Sequence, residues 1–307
     1  MRQGRAKHTI ADFGKLMRNS LKELLKNDPL RMAGATAFFT TFALPPILVI
    51  LIQVFKFVIG RRDIRVELFT SLSNIVGPEA VRQITGVLQS MRKLAQNWYI
   101  TIGGFIFLLF VATTLFRVIK DSVNQVWKIR PKEKLGVIKN MAGRVKAIMV
   151  ILIAGVLFML GIMGEAVRAF IGRYIFEFSP WLSFYFTSLL NYLISVLVVT
   201  LWFIMMFRYL PDGRPKWHVA FAGSFITAVL FTIGKVILHW LLSYSNITTL
   251  YGTSASIVLL LLFVFYTSLI LYFGAAFTKI WGIYKGHPIE PLPHAMHYRV
   301  IEAAVNE

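Results

Sequence analysis

Apolar residues gather into six long runs, and the connections between them carry most of the Lys and Arg. A helix needs roughly 20 mostly apolar residues to cross a bilayer. The runs therefore predict spans at about 32–57, 98–118, 147–170, 180–207, 218–242 and 254–280. The first run has no charged residue from 32 to 55, the fifth is interrupted only by Lys235, and the sixth contains IVLLLLFVF. The predicted fold class is an all-α polytopic membrane protein. Residues 32–280 form its six-helix transmembrane domain, 1–31 a basic cytoplasmic segment, 60–97 an outer loop and 281–307 a cytoplasmic tail.

The connections have patterns of their own. Phe13, Leu16, Met17, Leu21, Leu24 and Leu25 recur at helical spacing, with Lys15, Arg18, Lys22 and Lys26 on the opposite face. This predicts an amphipathic helix, lying in the headgroup plane of an anionic leaflet or packed on the cytoplasmic loops. Asp28 followed by Pro29 reads as an N-cap and first helical residue that restart the chain as the first span. Val81, Ile84, Val87, Leu88 and Met91 predict a short helix in the outer loop after Gly77-Pro78. Pro45 and Pro46 fall near the middle of the first span, where they predict a kink or break. Thr36, Thr40 and Thr41 lie within a turn or two and can re-satisfy freed carbonyls. Ala33 with Ala37, and Ala220, Ser224 and Ala228, predict places where helices approach closely.

Composition supports the membrane reading. Hydrophobic residues make up 57% and charged residues 15%, against about 45–50% and about 25% in soluble domains. The net charge of +19 is explained by position. Twenty-one of the 33 Lys and Arg fall in the four connections on one side of a six-span bundle, and eight in the three connections on the other. The cation-rich side is expected to face the cytoplasm, which places both termini inside. The implied partner is the bilayer, with anionic phospholipids at the cytoplasmic face, and no specific nucleic acid; the pattern leaves the oligomeric state open. No cleavable signal peptide is expected, because the first apolar run starts late and is long. With Cys 0 there is no disulfide framework and no thiolate site.

Polar groups inside hydrocarbon are expensive and mark candidate function. Lys235 lies in the fifth span, with His239 one turn later on the same face. Glu165 and Arg168 stand near the outer end of the third span, and Tyr251 and Ser254 at the outer end of the sixth. Together they predict an outward-facing polar cavity. The alternatives are a Lys235 that snorkels to the headgroups and a Glu165 that pairs with Arg168 or Arg173. No protease, hydrolase or phosphate-loop motif is present. His287, His294 and His297 sit on a tail holding Pro288, Pro291 and Pro293, read as too flexible for a metal site. Asp121, Glu133 and Asp212 read as isolated acids among cations. Neither cofactor nor metal is expected.

The chain resembles the YihY/BrkB family of bacterial inner-membrane proteins, formerly mislabelled ribonuclease BN. The first span, AGATAFFTTFALPPILVI after Asp28, carries the strongest likeness. LFRVIKDSVNQVWKIRP follows with Asn124, Trp127 and Pro131, then YLPDGRPKWHV with Pro211, and YGTSASIVLLLLFVFYTSLILYFGA with Gly252. Ala43 stands where a Ser is common, and Ala276 where the family usually has a Glu, so no role of that Glu carries over. The resemblance implies a six-helix inner-membrane protein and supplies no settled activity. The functional expectation is a non-enzymatic protein that transports or accommodates an amphipathic or anionic, lipid-like substrate through the outward cavity. The alternative is a scaffold with basic cytoplasmic loops, and a membrane-bound nuclease ranks last.

Overall fold

In this computed structural model the described residues are 10–59, 98–132, 180–244 and 255–299, with scattered helical positions between 69 and 89 and between 149 and 157. They form six long helices: α1 (Ile10–Leu25), α2 (Pro29–Ile59), α3 (Trp98–Trp127), α4 (Pro180–Tyr209), α5 (Trp217–Tyr244) and α6 (Ala255–Tyr284). Four short strands accompany them: β1 (Ile129–Pro131), β2 (Gly213–Arg214), β3 (Glu290–Pro291) and β4 (Ala295–His297). Helix α6 is the central post and packs against α1, α2, α3 and α5; α2 also packs on α3, and α4 on α5.

The segments Tyr192–Tyr209, Trp217–Leu238 and Ile257–Tyr284 are each long and apolar enough to cross a membrane. Their outward residues include Leu193, Leu197, Phe221, Val236, Ile237 and Ile257, all exposed. A water-soluble protein would bury such a surface. In the predicted third span, positions 149, 152, 153 and 155–157 are helical, and the rest of 147–170 lies outside the described residues. In the outer loop, Val81 and Ile84 are helical and buried, and Thr85 Oγ1 donates to the Val81 carbonyl at 2.8 Å.

Close packing of α5 on α6 is built from reciprocal Gly–Thr pairs. A Cβ on Gly223 would overlap Thr278 Oγ1, and one on Gly274 would overlap Thr227 Oγ1. Each threonine donates to the glycine carbonyl one turn back on its own helix, Thr227 to Gly223 at 2.6 Å and Thr278 to Gly274 at 2.7 Å. The hydroxyls are thereby satisfied without water, as hydrocarbon requires. Ala220, Ser224 and Ala228 are fully buried on α5, and Ala33 and Ala37 are buried on α2.

Two sequence expectations need correction. Helix α2 runs as one element from Pro29 to Ile59, through Pro45 and Pro46, so of the kink or break expected there the break into two helices does not occur. Nor do the nearby threonines serve the prolines. Thr36, Thr40 and Thr41 donate to the carbonyls of Met32, Thr36 and Ala37. The carbonyls that lose an amide to Pro45 and Pro46 are those of Thr41 and Phe42, four residues back.

The second correction concerns the tail, which is not featureless. β1 pairs antiparallel with β4, Ile129 opposite His297 and Pro131 opposite Ala295, and β2 pairs with β3, Gly213 opposite Pro291. The fold is therefore mostly helical rather than wholly so. Proline is at home in strands this short, where one edge needs no donor. Gly213 admits the tail because a Cβ there would lie 2.6 Å from Ile129 Cδ1 and 2.9 Å from Ile289 Cγ2.

Helix α1 uses both of its faces. Leu16, Ser20 and Leu24 are buried at four-residue spacing, while Phe13, Leu21 and Leu25 are exposed. The helix packs along α6, with the Phe13 and Phe277 rings edge to face at 6.3 Å. Asp28 then turns the chain at φ 52, and its carbonyl accepts the Met32 amide as α2 begins. Asp is among the few non-glycine residues that tolerate this left-handed conformation.

Candidate functional site

The end of the bundle where α1, the C-terminal ends of α3, α4 and α6, and all four strands meet is here termed the basic end. Its organising group is Asp212, in the turn after α4, with a side chain 3% exposed. Oδ1 receives Lys120 Nζ at 2.9 Å and His294 Nε2 at 3.0 Å. Oδ2 accepts Asn124 Nδ2 at 2.8 Å, while the Asp212 amide donates back to Asn124 Oδ1 at 2.9 Å. The Asp212 carbonyl takes the Leu292 amide at 2.8 Å. One residue thus ties α3, the α4–α5 turn and the tail together. Burial pushes the Asp212 carboxyl up, but hydrogen bonding and charge from Lys120, with His294 and Asn124, outweigh it and hold the pKa below the ordinary 3.8.

A second knot locks α1 onto the same junction. Lys279 Nζ on α6 pairs with Glu23 Oε1 at 2.6 Å and donates to the Val126 carbonyl at 2.9 Å. That carbonyl belongs to the last turn of α3, where a cation also favours the helix dipole. Lys128 Nζ donates to Asn27 Oδ1 at 2.9 Å, Gln125 Nε2 donates to the Asn27 carbonyl at 3.1 Å, and Arg31 reaches Gln125 Oε1 at 3.2 Å. Trp127 Nε1 donates to the Ala275 carbonyl at 2.9 Å, which fixes the fully buried indole against α6. Deeper along the bundle, Tyr272 on α6 and Thr36 on α2 share a hydrogen bond of 2.5 Å.

Between the ends of α1 and α3 lies an open cleft of about 520 Å³. Lys26, Lys128 and Arg130 line it, together with the amides of Asn27 and Gln125, Asp121 and Tyr298. Arg130 lies over the Tyr298 ring, 5.7 Å from its centroid. Lys128 holds φ 57 immediately after α3, and its amide bonds the Gln125 carbonyl to close the helix. Burial, then Lys279 and Lys26, lower the Lys128 pKa against an opposing pull from Glu23. Burial raises the Asp121 pKa against Lys120 and Arg117. Among the described residues no group of three or more His, Asp or Glu is placed to hold a metal ion.

Most of the residues expected to line an outward cavity fall outside the described residues. Glu165, Arg168, Tyr251 and Ser254 lie outside the described residues, as does Gly252. Lys235 is half-buried on α5, next to Gly234, whose hydrogen is overlain by the Tyr266 hydroxyl. His239 is on the same helix, and its side chain is outside the described set. By contrast, Asn124, Trp127, Pro131 and Pro211 meet at the basic end, with Asp28 at the α1–α2 joint beside it. Asn124 and Trp127 act directly in its hydrogen bonds.

Sequence reasoning missed the centre. Asp212, read as isolated, has its partners 92 residues before it and 82 after it. The histidines, read as flexible, are all engaged: His294 by Asp212, His297 by the Ile289 carbonyl and His287 by Lys216. Glu23, one of two acids in α1, carried no local signal, whereas Lys279 is the one cation in the otherwise apolar α6.

Residues 20–295 match the family described as Virulence factor BrkB. A UPF0761 membrane protein of Stenotrophomonas maltophilia strain K279a is 24% identical over 294 residues, covering 94% of this chain and 65% of that protein. The chain thus spans about two thirds of the length of that relative. UPF0761 membrane proteins of Mannheimia succiniciproducens and Tolumonas auensis are 22% and 24% identical, over 84% and 82% of this chain and 86% and 80% of theirs. No solved structure matches the chain.

Proposed function

Because this chain belongs to the BrkB family, we propose that it is an inner-membrane protein, with both termini in the cytoplasm, that accommodates and moves an anionic lipid-like amphiphile. One observation carries the reading. At the basic end, a cleft lined by Lys26, Lys128 and Arg130 opens beside a helix whose Phe13, Leu21 and Leu25 remain exposed. Apolar residues left open beside clustered cations suit the headgroup region of an anionic leaflet. Trp217 and Tyr209 stack edge to face at 6.5 Å with Arg208 over the indole, and Lys285 lies over Trp281. This is the aromatic and cationic belt of a membrane boundary.

The reading places the protein outside the enzymes and gives each end a role. The basic end receives the headgroup from the inner leaflet. The region of Lys235, with Glu165, Arg168, His239, Tyr251 and Ser254, forms the outward polar cavity. The test is lipid movement in proteoliposomes, followed by dithionite quenching of fluorescent lipid. The protein is expected to speed exchange of phosphatidylglycerol more than of phosphatidylcholine. Equal rates in protein-bearing and empty vesicles would refute movement. If substitution of Lys128, Arg130 and Lys132 then impairs cells while loss of Lys235 is harmless, the basic surface serves as a scaffold instead.

A further inference from the structure

We infer that the cleft between α1 and α3 is a binding site for a phosphate group of net negative charge, with Lys26, Lys128 and Arg130 as its ligands. This deepens the reading above by naming the recognised group and the residues that hold it.

The first ground is an imbalance of charge within the junction. Three other cations at this end are matched: Lys120 pairs with Asp212, Lys279 with Glu23 and Arg31 with Asp28. Among the described residues no carboxylate stands within ion-pair distance of Lys26, Lys128 or Arg130. Three cations face one acid, Asp121, across a cleft large enough for a headgroup. Cations gathered in a concave, partly desolvated site favour an anionic occupant.

The second ground is the backbone. Lys128 occupies a left-handed conformation, φ 57, at the position ending α3. Glycine or asparagine is the usual residue there, and a long side chain in that conformation is disfavoured. Lys128 adopts it nonetheless. Its ammonium spends one N–H on Asn27 Oδ1 and keeps two others. Asn27 is itself held, donating Nδ2 to the Glu23 carbonyl at 2.7 Å and accepting Gln125 Nε2 on its own carbonyl. Lys128 is thereby positioned before a ligand arrives.

The third ground is the chemistry of the donors. The Arg130 guanidinium is planar, its ring contact with Tyr298 leaves the edge without a partner among the described residues, and phosphate oxygens match that fork. Lys26 and Lys128 supply point charges beside it, the usual complement for a tetrahedral anion. Tyr298 belongs to the tail, and its amide donates to the Lys128 carbonyl at 3.0 Å, so the tail forms one wall of the site. The same chemistry serves a lipid headgroup or free phosphate.

The experiment measures thermal unfolding of the detergent-solubilised full chain. Inorganic phosphate, phosphatidylglycerol and phosphatidylcholine are added in separate titrations. Phosphatidylglycerol is expected to raise the Tm, phosphatidylcholine to have no effect, and added salt to weaken the response. Inorganic phosphate alone raising the Tm identifies free phosphate as a sufficient ligand, and phosphatidylglycerol alone doing so identifies the lipid headgroup. R130Q and K26Q should each weaken the apparent affinity by about tenfold, the loss of one charge-assisted hydrogen bond. K128N, which suits the left-handed backbone, should do the same. K216Q, outside the cleft, keeps the full response. The inference is overturned if neither phosphate ligand shifts the Tm, or if R130Q, K26Q and K128N respond as the parent does. A phosphatidylglycerol response that survives all three substitutions removes the cleft, while lipid movement in vesicles separately decides the broader reading.

Discussion

Replacing Asp212 by alanine is the sharpest perturbation of the junction. The carboxylate is 3% exposed and receives three side-chain donors, Lys120, His294 and Asn124. Removing one partner of a buried ion pair costs about 3–5 kcal/mol. Here the lower end applies, because the Lys120 side chain is 21% exposed and that of His294 42%, so both regain some water. Asn124 cannot, since it is 5% exposed and loses both of its bonds to the Asp212 side chain and turn if the turn shifts. The expected loss for D212A is about 3 kcal/mol. K120M removes one cation but leaves His294 and Asn124 on the carboxylate, and about 2 kcal/mol is expected. The double variant should be less destabilised than the sum by about 1–2 kcal/mol, because each change removes the same pair. Unfolding of the purified protein in detergent, followed by tryptophan fluorescence, measures all three. A D212A loss below about 1 kcal/mol, or strict additivity with K120M, would refute the assignment of Asp212 as the junction's hub.

Four further outcomes follow. G223A should destabilise by about 1–3 kcal/mol through overlap with Thr278, and T278A should partly restore it in the double variant; a neutral G223A contradicts the packing. Ser224 Oγ is buried without a hydrogen-bond partner among the described residues, so S224A should be neutral or stabilising by about 1 kcal/mol in the same assay. The folded Asp212 carboxyl lies below 3.8, so its contribution is complete above that value and is lost as pH falls through the lower folded value. An acid titration of Tm should show this limb in the parent and a flatter one in D212N. The Asp121 carboxyl is shifted up, so protonating it removes the one acid lining the cleft; D121N should bind phosphatidylglycerol more tightly and lose part of the pH dependence of that binding.

The apolar spans within α4, α5 and α6 were legible because the bilayer imposes a length and a composition. Helix α5 begins at Trp217, one residue from the sequence estimate, and α2 begins at Pro29 where Asp28-Pro29 signals a start. The extension of α3 to Trp127 was not legible, since its last turns leave the apolar run and are held by Asp212, Lys279 and Ala275 rather than by hydrocarbon. Strands of two or three residues are too short to show a period of two, so the tail read as an irregular proline-rich segment. The basic end was visible only as excess charge. Its organisation depends on pairs such as Glu23 with Lys279, 256 residues apart, which no local pattern announces. The family motif around Asn124 and Trp127 pointed to the right place without revealing that Asp212 stands at its centre.

The account rests on the basic end facing the cytoplasm, with its cleft open to the inner leaflet. The chain has no cysteine, so single-cysteine labelling reads the topology without background. Lys132→Cys places a thiol at an exposed position beside β1. A membrane-impermeant maleimide should fail to label it in intact cells and label it fully once the membrane is opened, whereas a cysteine at position 249 labels in both. Labelling of the Lys132→Cys thiol in intact cells would place the cation-lined cleft on the outer side and contradict the account.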